Sequence, residues 1–293
     1  MIDFFSDIWP QTSNVFTILY ITTTIFIAIF IVLENRSPVK TISWVLVLVL
    51  IPIGGIFVYL FFGQEYRKRK MFSRKGLHDL ERLRKLTTEQ LKILPDYKLS
   101  QPLHSKKHLM NLLLNNSNSI LTNNNEVQIL KNGSMKFSEE FKEIQKAKHH
   151  VHLEYYIIED DETGNYLRDL LIRKAREGVE VRVIYDDVGS WQLKRSFIRP
   201  MKEAGIKIDC FMKVRFPTLT SRVNYRNHRK IVVIDGKVAF MGGINIADRY
   251  LNGIPGIGPW RDTHLKLIGG AATALQVIFM ADWYFVSKEI LKG

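Results

Sequence analysis

Cysteine is almost absent from this chain. Cys210 stands alone among 293 residues, so no intrachain disulfide can staple the fold. A single thiol beside a strand pattern reads as a small buried apolar residue. No Cys/His cluster has metal-ligand spacing, and there is no P-loop, no GxGxxG fingerprint and no sustained heptad pattern. These gaps argue against structural zinc, against the common nucleotide cradles and against a coiled coil. Acidic residues are also short, 29 Asp and Glu against 42 Lys and Arg, which leaves a formal net charge of +13. Such a surplus suits an anionic partner, either a membrane surface or a polyanion. An apolar share of 46% beside 24% charged residues excludes a disordered chain, and the length allows one or two domains with a real core.

What is present is unevenly distributed. Val15–Leu33 is 19 residues without a charge, and Thr41–Gly63 is 23 more. About 20 apolar residues at 1.5 Å each cross a hydrocarbon core of roughly 30 Å, so both predict transmembrane helices. Pro52, Gly54 and Gly55 interrupt the second, which a membrane helix tolerates better than a soluble one. A cleaved signal peptide is excluded for the first run: no Lys or Arg precedes it and no small-x-small cleavage site follows. Arg36 and Lys40 lie in the short loop, whereas Arg67, Lys68, Arg69, Lys70, Arg74 and Lys75 follow the second run. That asymmetry predicts a cell-membrane hairpin over 1–66 with everything after Phe62 in the cytoplasm. The basic run is either a topology signal or a holder of anionic headgroups.

Residues 67–125 read as a basic juxtamembrane linker. Within it one short helix is expected around His78–Lys92, ended by Pro95, and the Asn-rich stretch Asn115–Asn125 is a loop by composition. From 126 to 293 the pattern becomes α/β. Helices are expected over Phe137–Lys148, Gly164–Glu177, Leu193–Ala204 and Ala271–Lys288. Strands are expected over Val151–Ile158, Val179–Tyr185, Ile206–Phe211, Lys230–Ile234, Val238–Met241 and His264–Ile268. This alternation argues for βαβ units and a sheet covered on both faces. Asp235–Gly236 marks a hairpin.

The chemistry concentrates between Asn224 and Asp262. His228 and Lys230 are two apart in an extended segment, so both side chains leave the same face. A phosphate between them would meet an imidazole and an ammonium together. Asp235 ends that strand, and Gly242 and Gly243 end its partner, where glycine lets backbone approach a ligand closely. Asn245, just beyond, can donate an amide hydrogen bond. One imidazole, one fixed cation, an amide and a tight backbone suit a phosphorus-centred reaction with no metal and no cofactor.

The whole pattern, HxK, four residues, Asp, six residues, Gly-Gly, then Asn two residues on, resembles the phospholipase D superfamily signature. The likeness extends through YYII at Tyr155–Ile158, YDDVGS at Tyr185–Ser190, NHRKIVVIDG and WRDTHL, in the order of bacterial cardiolipin synthases with their two N-terminal membrane helices. The resemblance implies a phospholipase D-like half domain, a mixed sheet flanked by helices. It implies a nucleophilic His228 that forms a phosphohistidine, a Lys230 that neutralises phosphoryl oxygens and an Asp235 more structural than chemical. Asn245 would bind phosphate, and Asp262 would orient the imidazole, whose fixed tautomer leaves the other nitrogen free to attack. The implied reaction joins two phosphatidylglycerols into cardiolipin and releases glycerol, with anionic phospholipids as substrates.

Family members carry two motif copies, one His attacking and the other protonating the leaving group, whereas this chain carries one copy and ends at Gly293. His104–Lys106 and His264–Lys266 match HxK by chance. Three readings follow: a half-enzyme from a truncated frame, a homodimer with one His228 from each copy, or a partner chain bearing the second half. A membrane-tethered phosphodiesterase or nuclease, for which the cations beside the motif would be used, and an inactive lipid-binding remnant are the alternatives from other classes. Nucleic acid is the less expected partner, because two membrane helices serve no purpose for a nuclease. Among weaker signals, YDD reads as a turn, the histidines at 149, 150 and 152 as packing or exposed groups, and Trp260 as a lipid-entrance or loop-anchoring ring. The final helix, with Leu275, Ile278, Phe279 and Phe285, is expected to expose an apolar face.

Overall fold

The computed structural model describes residues 18, 21–29, 31–32, 38–51, 54–55, 59, 88–90, 105–117, 119–214 and 226–291. The chain divides into two compact units, 1–73 and 74–293.

In the first unit residues 21–29 are helical and α1 spans Pro38–Leu50. Ile31, Leu48 and Tyr59 bury one another with Ile27 and Trp44 against them, and the rings of Trp44 and Tyr59 meet edge-on at 5.4 Å. Around this small seam, Ile21, Ile25, Phe26, Val39, Ile42 and Leu46 are exposed. Among the described residues no helix is long and apolar enough to cross a membrane. The spans expected over 15–33 and 41–63 extend beyond the described residues, and the basic run from Arg67 to Lys75 lies outside them.

The second unit is built on one seven-stranded mixed sheet. Its strands are β1 (Glu126–Lys131), β2 (His150–Tyr155), β3 (Glu180–Asp186), β4 (Lys207–Phe211), β5 (Ile231–Ile234), β6 (Val238–Gly242) and β7 (Thr263–Ile268), in the order β1-β7-β6-β5-β2-β3-β4. β2, β3 and β4 run parallel, as βαβ units require, while β5, β6, β7 and β1 continue antiparallel. One end of the sheet therefore collects the ends of β2, β3 and β6 with the beginnings of β5 and β7. The Asp-Gly hairpin is present: Asp235 and Gly236 both sit at positive φ, 51° and 66°, between paired Ile234 and Val238.

Helices α3 (Asn132–Lys146), α4 (Glu162–Arg176) and α5 (Arg195–Glu203) cover one face. They bury Phe137, Ile144, Leu167, Leu170, Leu171, Phe197 and Met201 against Val151, Leu153, Val181, Val183, Val232 and Ile234. α4 begins at Asp161, whose carboxylate accepts from Gly164 N, and closes on Arg173, Lys174 and Arg176, so both helix ends are complemented. The short α6 (Arg249–Asn252) follows the motif, and α7 (Gly270–Ser287) lies on the opposite face.

Three expectations need correction. The final helix does not offer a free apolar face: Leu275, Phe279 and Trp283 are buried, and only Ile278 among the apolar side chains singled out is exposed. α7 is the second layer that this sheet needs, since Ile231, Val233 and Ile184 point that way and would otherwise be wet. Asn115–Ser117 is not loop but the last turn of α2 (Lys107–Ser117), where Asn115 Nδ2 donates back to the Asn111 carbonyl. β1 was not expected at all, because an edge strand with a single buried residue, Leu130, lacks the apolar alternation of its neighbours. Of the helix expected around His78–Lys92, residues 88–90 are described and helical, and Gln90 clasps Leu121 through both N–H and C=O.

Candidate active site

His228 stands just before β5, at the sheet end where β2, β3 and β6 terminate. The imidazole is exposed, whereas Lys230, two residues on, is 3% exposed. Alternation holds them on one face. Lys230 Nζ donates to the His228 carbonyl at 2.8 Å and keeps further N–H groups for other acceptors. Tyr156, which follows β2, frames both: its ring centre is 4.7 Å from that of His228, and Lys230 Nζ lies 5.2 Å from it. Partial burial and the Lys230 charge hold the imidazole below its ordinary titration range, with Asp186 opposing them. Both effects favour the uncharged ring. Burial lowers Lys230 to about 8, with the Asp262 carboxylate pulling the other way.

The segment carrying His228 is pinned from below. Asp186, fully buried at the end of β3, accepts from Val188 N and Gly189 N and also from Asn227 N at 3.0 Å and Arg226 Nη1 at 3.3 Å. The YDD turn is therefore both a turn and an anchor. Asn227 Nδ2 bonds Glu154 of β2, and Arg229 pairs with Asp282 of α7.

The other expected site residues separate. Asp235 closes the opposite end of β5, about 20 Å from His228 at 3.3 Å per residue. Its carboxylate accepts from the backbone N–H of Lys148, His149 and His150 at 2.8–2.9 Å, which holds its pKa below the usual carboxylate range. It clasps the hairpin to the start of β2 and touches no reacting group. Asn245 is 3% exposed: Oδ1 accepts from Ile157 N and Nδ2 donates to Tyr250 Oη, so the amide ties β2's exit to α6. The Asp262 carboxylate accepts from Thr263 N, and no hydrogen bond joins it to His228. Gly243 is where Asp262 fits: a Cβ there would sit 2.2 Å from Asp262 Oδ1. Gly242 likewise makes room for His264, whose Nδ1 a Cβ would meet at 2.6 Å. The glycine pair admits its neighbouring strand rather than a ligand.

Glu154 and Asp282 carry no signal in the sequence, and Tyr156 and Asn227 stand out there only as parts of YYII and NHRKIVVIDG. Their role comes from the antiparallel seating of β5 on β2 and from α7 lying beneath, and neither pairing leaves a local signal. His150 and His152 pack on α7 through Gln276 and Phe279, and burial drops His152 to about 3. Trp260 meets the Tyr250 ring edge-on at 5.1 Å and is partly exposed, so it anchors a loop. Cys210 is partly buried. Among the described residues no three His, Cys, Asp or Glu side chains converge as a metal site would need.

Residues 141–254 match a family model described as cardiolipin synthase, PLD-like domain, and residues 18–64 match phospholipase D-nuclease N-terminal. A cardiolipin synthase of Alkalihalophilus pseudofirmus is 42% identical over 94% of this chain and 54% of its own length. One from Halalkalibacterium halodurans is 44% identical over the same shares. Among solved structures, a phospholipase D family member, Nuc from Salmonella typhimurium, aligns with 55% of this chain and 96% of its own at 15% identity and a TM-score of 0.42. The chain spans about half the length of the curated relatives it matches. With its HxKxxxxD strand, glycine pair and WRD segment in place, the chain belongs to the phospholipase D superfamily and carries the PLD-like domain of the cardiolipin synthases.

Proposed function

We propose that the protein carries out phosphatidyl transfer of the cardiolipin synthase type, with His228 as the nucleophile. The observation that carries this is an exposed, neutral imidazole over a buried ammonium at the open end of the sheet. A ring nitrogen of His228 attacks the phosphorus of one phosphatidylglycerol, the bond to the headgroup glycerol oxygen breaks, and a phosphohistidine forms. Lys230 neutralises the non-bridging oxygens as charge builds on them. A hydroxyl of a second phosphatidylglycerol then attacks, the histidine–phosphorus bond breaks, and cardiolipin leaves. Glycerol must take a proton as it departs, and the acceptor hydroxyl must give one up; a single motif supplies no second imidazole for either. The complete site therefore draws a second histidine from another copy of this chain or from a second catalytic half.

The uncharged runs 15–33 and 41–63 act as a membrane hairpin that delivers the domain to its lipid substrates from the cytoplasmic side. The exposed apolar side chains of the first unit and the match over 18–64 support this placement. The test is a phosphatidylglycerol assay of the purified chain in mixed micelles, following cardiolipin and glycerol, beside His228→Ala. Product that vanishes in the variant and rises steeply with protein concentration supports a shared site. No product from inserted, folded protein removes activity of the chain alone. Cleavage of DNA instead would install the phosphodiesterase reading.

A further inference from the structure

Beneath His228 lies a pair of acids that the mechanism does not use. Glu154, on β2, and Asp282, on α7, are each 1% exposed and face one another. The neighbours of Glu154 in register are apolar, Ile184 on β3 and Ile231 on β5. Among the described residues, the cation that faces the pair is Arg229, which bonds Asp282 and is itself 45% exposed. Two ionised carboxylates with a single half-wet guanidinium would leave an uncompensated buried negative charge. Glu154 Oε1 accepts from Asn227, but no N–H or O–H group donates to Oε2. One proton on the pair removes the excess charge and supplies that missing donor. Burial and the facing Asp282 both push the Glu154 pKa up.

Each acid grips one flank of the nucleophile, Glu154 through Asn227 and Asp282 through Arg229. We propose that Glu154 and Asp282 share one proton and that this singly protonated pair, its remaining charge balanced by Arg229, is the positioning device that sets the His228 imidazole. The two are positioning residues, and α7 thereby enters the site although it lies outside the matched stretch 141–254. Loss of the shared proton at alkaline pH drives the acids apart and loosens both flanks together.

The inference rests on His228 as the nucleophile, so its test has arms with and without turnover. Infrared spectra of the full chain at neutral pH are expected to show the carbonyl stretch of a buried protonated carboxylic acid, lost in Glu154→Gln and in Asp282→Asn. Its absence from the wild type overturns the shared proton. Modification of His228 by diethyl pyrocarbonate, followed by mass spectrometry, reads the ring's placement. Glu154→Ala is expected to change its rate several-fold, while Glu154→Gln, the neutral mimic, leaves it near wild type. Equal rates in all three overturn the positioning role. Under turnover, Glu154→Ala should lower kcat by about 100-fold with little change in KM. Glu154→Gln should restore most of kcat and remove the alkaline loss that the pair imposes. A wild type without turnover removes activity of the chain alone and leaves the infrared and modification arms to decide this one.

Discussion

At one end of β5 an imidazole stands in solvent over a buried ammonium; at the other, Asp235 gives its carboxylate to three backbone N–H groups and the hairpin turns away. Both belong to one sequence motif, and the spacing between them is the length of a strand crossing the sheet. The His228 end has unspent hydrogen-bonding capacity and shifted charges. At the Asp235 end both carboxylate oxygens are engaged by backbone N–H groups. A motif can therefore unite residues that never meet, one set for chemistry and the other for the register that aims it.

The comparison breaks most sharply under substitution at each end. His228→Ala is expected to lower phosphatidyl transfer by at least about 1,000-fold. Being exposed, it should leave the melting temperature unchanged, as calorimetry on the same preparations will check. Asp235→Ala should do the converse. Losing the acceptor for three backbone donors costs about 2 kcal/mol, roughly a 6 °C fall in Tm for a unit of this size, with kcat per folded molecule retained. Because its pKa is depressed in the fold, the stabilisation by Asp235 is full above the ordinary carboxylate range and fades as pH falls through it, so wild type and variant should converge in acid.

Alkaline pH sharpens the comparison from the open end. With Lys230 lowered to about 8, the charge we propose to neutralise phosphate is lost as pH rises past that value, and activity should fall there. The unfolded chain keeps the Lys230 proton up to about 10.5, so this group makes stability rise with pH between the two values while activity drops. Lys136, also lowered to about 8 by burial, has the same sign. A pH series of kcat, and of the denaturant-midpoint difference between wild type and Lys230→Met, checks the pair of expectations, and a difference that falls from 8 to 10 would refute the second. The smallest effect is expected at Tyr156, which frames the two side chains by ring contact alone. Tyr156→Phe should stay within about twofold of wild type and Tyr156→Ala lose about tenfold in kcat/KM.

Much of this was legible from residue order. Alternating apolar runs gave the strands and helices of the second unit, Asp235–Gly236 gave the hairpin, and the HxK spacing put His228 and Lys230 on one face. Illegible parts share one cause, contact between elements far apart in sequence. β1 shows no pattern of its own because only Leu130 is buried, and it is a strand because β7 offers it an edge. Asn245 and the glycine pair look like ligand groups in a linear reading. In the fold their partners are Ile157, Tyr250, His264 and Asp262. Asp282 sits 54 residues beyond His228, and no local period could have joined them.

The fit of Asp262 over Gly243 and of His264 over Gly242 also makes these positions inherit change in couples. A methyl group at 243 has nowhere to go while a carboxylate occupies the space, so Gly243→Ala alone should be rejected. It becomes tolerable only when position 262 shortens at the same time. Selection for revertants of Gly243→Ala would then recover changes at 262 as readily as at 243. The two segments, nineteen residues apart along the chain, behave as a single heritable unit.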